Sequence, residues 1–409
     1  MSSSLPRVGI EKIRVNPTSL ALDMRKLCEA RGQEWANIRD VMMIAERGVN
    51  PPWEDPVTLA VNAALPMLTE EDKKDIELLL VSSESSVDNE KPMSSWVHRH
   101  LGLSPHCRNI ELKHACYAGT GGVKIAAQWA LTTGKKALVI NTDRSRMHFG
   151  KPYEFVMGAN AVAVLVSQNP RILEFELDKY GLFSHEVDDL TRPTSRVETG
   201  NSETSLFSYM DSLHGALENY RDKLGEELDY DEYFAKNIYH IPFGGITINA
   251  HRTALRVFGS VSKSVAREHW EQKTLPSLTY PSRMGGCYGS STFIAMLSLI
   301  DHTDVSAGDR IGIFSYGSGS CAEFYSGLIG HDAKAASKEA DLPALLDVRR
   351  QLSVREYEEC ERERTCYIDC GDYEVSRDGM NGWYDEHYAG KNQLVFEGCE
   401  EHFRKYSWS

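Results

Sequence analysis

Three short segments of this chain carry a thiol, a carboxylate and an imidazole in settings suited to nucleophilic and acid–base chemistry. Cys116 stands in Lys113-His114-Ala115-Cys116-Tyr117-Ala118-Gly119-Thr120-Gly121-Gly122, followed at once by a helix-like stretch, Val123 to Leu131. A thiol in the first turn of a helix faces unpaired backbone N–H groups and the positive dipole end, which favour thiolate over thiol. Cys116 is therefore a candidate nucleophile, although an arbitrary cysteine is more often a buried structural residue. Its company shifts the balance. Glu84 closes an apolar run in Leu79-Leu80-Val81-Ser82-Ser83-Glu84-Ser85-Ser86, and His240 lies in Ile238-Tyr239-His240-Ile241-Pro242-Phe243-Gly244-Gly245. Taken alone, a histidine before Pro-Phe is more often packed than catalytic, and serine-rich strand ends are more often solvated.

The surrounding pattern supplies elements to hold these groups. Short apolar runs alternate with helical stretches: Ile76 to Val81, Ser94 to Leu101, Cys116 to Leu131, Ala137 to Ile140, Ala161 to Val166. That order predicts a layered α/β core with buried strands. The second half repeats it with Asn237 to Ile241, Thr253 to Lys263, Gly289 to Ile300 and Arg310 to Ser315, so that Cys287-Tyr288-Gly289 mirrors Cys116-Tyr117-Ala118 as a weak long-period repeat. Gly181 to Glu203 reads as a polar excursion over the surface, and Lys334 to Arg364 as amphipathic helices on the outside. Gly119, Gly121 and Gly122 lack the Gly-Lys-Ser/Thr ending of a phosphate loop, and close helix packing explains them.

Composition sets the bounds. With 409 residues, 41% hydrophobic and 25% charged, the chain is long enough for two core-bearing halves. A formal charge of −14 argues against nucleic-acid binding. No apolar run approaches the roughly 20 residues that span a bilayer, and the opening Met1-Ser2-Ser3-Ser4-Leu5-Pro6-Arg7 is no signal peptide, so no membrane association and a cytoplasmic setting are expected. Nine scattered cysteines suggest reduced thiols; the spacing of Cys360, Cys366 and Cys370 fits no common zinc knuckle, and no metal is expected.

The Glu84, Cys116 and His240 segments resemble, in chain order, the motifs of 3-hydroxy-3-methylglutaryl-CoA synthases. The likeness extends to Trp53-Glu54-Asp55-Pro56-Val57, Ser315-Tyr316-Gly317-Ser318-Gly319 and Arg349 to Glu358. The resemblance implies a thiolase-like five-layer α/β fold of two duplicated halves, residues 1–167 with the Glu and Cys motifs and 168–409 with the His motif and appended helical segments, and a homodimer. It implies a reaction too: Cys116 takes an acetyl group from a thioester, Glu84 removes a methyl proton, and the enolate attacks a β-ketone whose oxygen His240 serves as acid; water then releases the product. No cofactor is required beyond the phosphopantetheine of an acyl carrier protein or of CoA. Tyr316, Gly317 and Ser318, with N–H groups near Cys116, are oxyanion-hole or substrate-binding candidates.

Two departures stand out. Gly286, in Arg283-Met284-Gly285-Gly286-Cys287-Tyr288, occupies the place of a usual asparagine, whose loss would cost roughly 3 kcal/mol of thioester activation unless another donor substitutes. Glu154-Phe155-Val156-Met157-Gly158-Ala159-Asn160-Ala161 replaces a Glu-Pro-Ser-x-Gly-Ala-Gly-Ala pattern, a change in pocket shape. Phe243-Gly244-Gly245 and Glu111-Leu112-Lys113 are similar to the branch that acts on acyl carrier proteins in polyketide β-branching, with the CoA-dependent enzymes of primary metabolism as the alternative. Carrier proteins are acidic, so cations are expected at the tunnel mouth: His251, Arg252 and Arg256, or Arg144, Arg146 and Lys151. A decarboxylating ketoacyl synthase of type III and a non-catalytic scaffold are the remaining readings. The Glu84 motif speaks against the first and the intact trio against the second.

Overall fold

In the computed structural model, which describes residues 6–259, 262–378 and 380–409, one nine-stranded sheet runs through both halves of the chain. Its strands are β1 (Gly9–Asn16), β2 (Ile76–Ser82), β3 (Arg108–Leu112), β4 (Lys136–Arg144), β5 (Ala159–Ser167), β6 (Leu173–Ser184), β7 (Lys236–Tyr239), β8 (Arg310–Gly317) and β9 (Cys321–Ile329), in the order β7-β8-β9-β6-β1-β5-β4-β2-β3. β2 pairs in parallel with β3 and β4, and β7 in parallel with β8. The central pairings β4–β5, β1–β5 and β6–β9 are antiparallel.

The strands are apolar on both faces because both are covered. Leu78 and Leu80 of β2, with Val139 of β4, join a central core containing helices α3 (Ala118–Thr133) and α7 (Ser291–His302). Leu79, Val81, Leu138 and Ile140 point the other way, toward α1 (Pro56–Ala64) and α2 (Met93–Leu101). On the second half, α4 (Ser202–Leu224) and α5 (Ile246–Phe258) cover Phe314, Ala322 and Phe324. The period-two alternation of one strand thus assigns its residues to different helical layers. The result is the five-layer arrangement expected, with α3 and α7 sandwiched in the middle.

The glycines of α3 answer to this sandwiching. A Cβ on Gly119 would lie 2.2 Å from Asn141 Oδ1, and one on Gly122 would lie 2.9 Å from Val139 of β4. One predicted element is divided: the stretch Thr253 to Lys263 belongs to two helices, α5 and α6 (Lys263–Lys273), with Ser262 capping the second through Val265 N–H; positions 260 and 261 lie outside the described residues, as do residues 1–5 of the opening segment. Among the described residues no helix is long and apolar enough to cross a membrane.

Candidate active site

Two residues beyond β2, Glu84 meets Cys116, which stands two residues before α3. The thiol donates to Glu84 Oε1 at 3.3 Å. The local sequence explains the fit. Ser83 Oγ and the Glu84 N–H donate to Asp143 Oδ1 at 3.1 and 2.9 Å, tying the strand end to its neighbour β4. Ser85 N–H reaches Ser83 Oγ at 2.8 Å, and Ser82 Oγ reaches the Ala118 carbonyl at 3.0 Å. These three serines are buried, not solvated, and they fix the backbone that carries the carboxylate. Ala115, just before the nucleophile, is held at φ +41°, a region that costs a non-glycine residue on the order of 1 kcal/mol and clusters at functional sites. Tyr288, at the mirrored helix head, has φ +50°. The two heads touch: a Cβ on Gly289 would lie 3.1 Å from the Cys116 carbonyl.

The electrostatics differ from the expectation for a helix N-terminus. Burial first, and then the neighbouring Glu84 charge, push the Cys116 thiol well above its ordinary value. The dipole end is outweighed because sulfur is removed from water and faces a carboxylate at contact distance. Glu84 itself is pushed up to about 8, by burial and by Asp143, which is in turn raised to about 6 by burial. Thiol and carboxyl therefore each hold their proton more tightly than the free groups do, because burial penalises the charge on either.

His240 directly follows β7, its N–H donating to the Phe314 carbonyl of β8 at 2.8 Å. Ser291 Oγ, in the first turn of α7, lies 2.7 Å from His240 Nδ1 and accepts the Ile241 N–H at 3.3 Å. The hydroxyl can both accept the Ile241 N–H and share a hydrogen bond with Nδ1, so Ser291 fixes the orientation of the ring. Burial lowers His240 to about 3, so the ring is neutral. α7 thus links the two halves of the site: its head abuts Cys116 and its first residue orients His240.

The remaining expected residues fall into several groups. A Cβ on Gly317 would lie 2.6 Å from both the His114 carbonyl and the Tyr117 nitrogen, so β8 ends against the nucleophile's backbone. Ser318 is half-buried and makes no side-chain hydrogen bond among the described residues. Tyr316 is not available as an oxyanion donor, because its hydroxyl is committed to Asp189 at 2.9 Å and Ser208 at 2.8 Å. Gly286 is no donor either: its N–H goes to the Val156 carbonyl at 2.5 Å, and its carbonyl accepts Gly158 N–H at 3.0 Å. It sits where three loops converge, a Cβ there lying 3.1 Å from Val156 O and 3.3 Å from Pro242 O. Cys287 is a buried filler whose thiol donates to Gly285 O. Glu154 is buried and pairs with Arg31 at 2.8 Å.

Of the entrance cations, Arg256 is exposed and Arg252 partly so, bonded to Asn249 at 2.6 Å. His251 is a correction: it lies on the buried face of α5, hydrogen-bonded to Tyr239 OH at 2.9 Å and to His269 at 2.6 Å, with burial lowering it to about 3. It presents no charge to a partner. Lys151 is exposed, whereas Arg144 and Arg146 are recessed.

The excursion over Gly181 to Glu203 also reads differently in the structure, because its centre turns into the site. Asp189 is fully buried, accepting Tyr316 OH and the Gly319 N–H at 3.0 Å. Arg192 donates to the Glu84 carbonyl and pairs with Glu198 at 3.1 Å, and its charge opposes the upward shift of Glu84. Composition gave no sign of these roles, nor of Asp143 or Ser291.

Residues 250–381 match the family model for the C-terminal part of hydroxymethylglutaryl-coenzyme A synthase. The chain is 36% identical, over 98% of its length and 99% of the relative's, to the polyketide biosynthesis 3-hydroxy-3-methylglutaryl-ACP synthase PksG of Bacillus subtilis strain 168. The chain belongs to the hydroxymethylglutaryl-CoA synthase family. A family member from Enterococcus faecalis, a hydroxymethylglutaryl-CoA synthase, is 34% identical over 86% of this chain and 90% of its own. The crystal structure of the HMG synthase of the curacin biosynthetic pathway superposes with a TM-score of 0.93 at 37% identity, covering 98% of this chain and all of that one. The same synthase has been solved with holo and with acetyl donor-ACP.

Proposed function

We propose that this HMG-synthase-family enzyme condenses an acetyl group, received from an acetyl carrier protein, with the β-ketone of a carrier-bound β-ketoacyl thioester, as in polyketide β-branching. The observation that carries the chemistry is the 3.3 Å contact between the Cys116 thiol and Glu84. As sulfur attacks the donor thioester, Glu84 takes the thiol proton and passes it to the departing pantetheine thiolate, returning as carboxylate. It then removes a proton from the acetyl methyl. The enolate adds to the ketone while His240 protonates the new alkoxide, and the methyl proton held by Glu84 then restores the histidine; water cleaves the Cys116 thioester, its hydroxyl forming the free carboxylic acid and its proton going to sulfur. Gly317 and the backbone at Cys116 frame the oxyanion position. Neither cofactor nor metal enters the sequence of steps.

The carrier-protein assignment rests on the likeness to PksG and to the curacin synthase over nearly the whole chain. The CoA alternative has the shorter match to the Enterococcus enzyme. A homodimer in the cytoplasm completes the proposal, consistent with nine unpaired cysteines. Intact mass spectrometry after mixing with acetyl carrier protein or acetyl-CoA tests it: one acetyl group on the wild type, faster from the carrier, and none on Cys116→Ala. Acetylation that survives in that variant, or that only CoA supports, refutes the corresponding part.

A further inference from the structure

Five arginines gather around the end of β4: Arg144, Arg146, Arg192, Arg364 and Arg404. Three of them have acids of their own. Arg192 pairs with Glu198 at 3.1 Å, Arg364 with Glu361, and Arg404 with Asp55 at 2.6 Å. Arg144 and Arg146 make no side-chain hydrogen bond and no ion pair among the described residues, and the Nε of Arg146 is buried without a partner. Ser145 between them is pinned by Arg47 at 2.7 Å, and the Arg144 N–H by Ser85 Oγ at 3.2 Å, so the pair is held in place. Arg146 feels Arg192 and Tyr288, and both of these face Glu84 and Asp143. Neither guanidinium has an acid in direct contact, and burial with the neighbouring arginines outweighs the nearby Asp55 and Glu198, so a bound anion would be favourable here.

We propose that Arg144 and Arg146 form an anion subsite, continuous with the active site, that receives a carboxylate carried on the acyl chain of the ketone substrate. This rests on the condensation proposed above. Both side chains are partly buried, which sets them apart from the exposed Arg256. The phosphopantetheine arm carries another small anion, its phosphate. The Arg144 N–H bonds Ser85, next to Glu84, and Arg146 neighbours Arg192, which donates to the Glu84 carbonyl, so the pair lies on the side of the site where the acyl group reacts. This placement favours the far end of the acyl chain over the arm.

The test compares two β-ketoacyl pantetheine thioesters of equal length, one ending in a carboxylate and one in a methyl group. In the wild type the carboxylated substrate has the higher kcat/KM, and in Arg144→Met and Arg146→Met that preference falls about tenfold or more, the loss expected for one charge-assisted hydrogen bond. Arg144→Lys retains part of it. Glutarate, followed by thermal shift, stabilises the wild type and not Arg144→Met, a readout independent of turnover. An unchanged preference ratio together with equal glutarate shifts overturns the subsite. If instead Arg144→Met weakens CoA relative to dephosphorylated pantetheine, leaving the carboxylate preference intact, the subsite reads the arm and the acyl assignment is wrong. Acetylation of Cys116, measured in the same samples, separates failure of the subsite from failure of the condensation itself.

Discussion

Replacing Glu84 by glutamine isolates the coupling on which the site depends. In the wild type a Cys116 thiolate would face the Glu84 carboxylate across 3.3 Å. At an effective dielectric constant of about 20, like charges at that distance repel by about 5 kcal/mol, or about four pH units of thiol titration. Glutamine keeps the size and the acceptor oxygen and removes the charge, while burial, the largest cause of the shift, remains. The thiol midpoint should therefore fall by about two units or more, toward but not below its ordinary value. The assay is the pH dependence of Cys116 alkylation by iodoacetamide, with the modified peptide identified by mass spectrometry. The same variant should take up acetyl from a thioester more slowly, having lost the base that receives the thiol proton, while condensation drops about a thousandfold. A midpoint within about half a unit of the wild type, or above it, refutes the argument that the carboxylate charge holds the proton on sulfur.

Further predictions follow from the same geometry. His240→Ala should acetylate normally yet condense about a hundredfold or more slowly, as single-turnover assays would show. Ser291→Ala removes the partner of Nδ1 without touching substrate; condensation should slow about tenfold and its pH profile change shape, whereas a merely structural loss would leave the profile unchanged. Because Glu84 acts as a base and is raised to about 8, the condensation rate should climb with pH through that value. Arg192→Met should shift the climb to higher pH, since the lost cation opposes the rise. His251 is neutral and lowered from 6.5 to about 3, so the unfolded chain binds its proton first. Stability should fall as pH drops from 6.5 toward 3, and His251→Gln should flatten that limb of the melting-temperature profile.

The parts of the site that the sequence reveals are those built from local pattern. β2, α3 and β4 follow from alternating apolar residues and from glycines whose close approach to Asn141 and Val139 leaves no room for a side chain. Cys116 and Glu84 stand at the ends of such elements. What lies beyond local pattern is everything that depends on two segments meeting. The acidity of Cys116 is decided by burial and then by Glu84, 32 positions away, and not by its own helix. Asp189 and Arg192 belong to a polar loop with no period, and only their partners Tyr316 and Glu84 identify them. His251 was the more readable miss: Thr247, Ala250, His251 and Ala254 form the buried stripe of α5, which leaves Arg252 and Arg256 on its outer side.

The most direct measurement is deuterium uptake into the acetyl group of acetyl-Cys116 in heavy water, read by mass spectrometry of the active-site peptide. The enzyme described here should exchange its methyl protons without any ketone present, and Glu84→Gln, acetylated on the same sulfur, should not. Equal exchange in the two proteins, or an acetyl group found on a cysteine other than Cys116, would contradict the account.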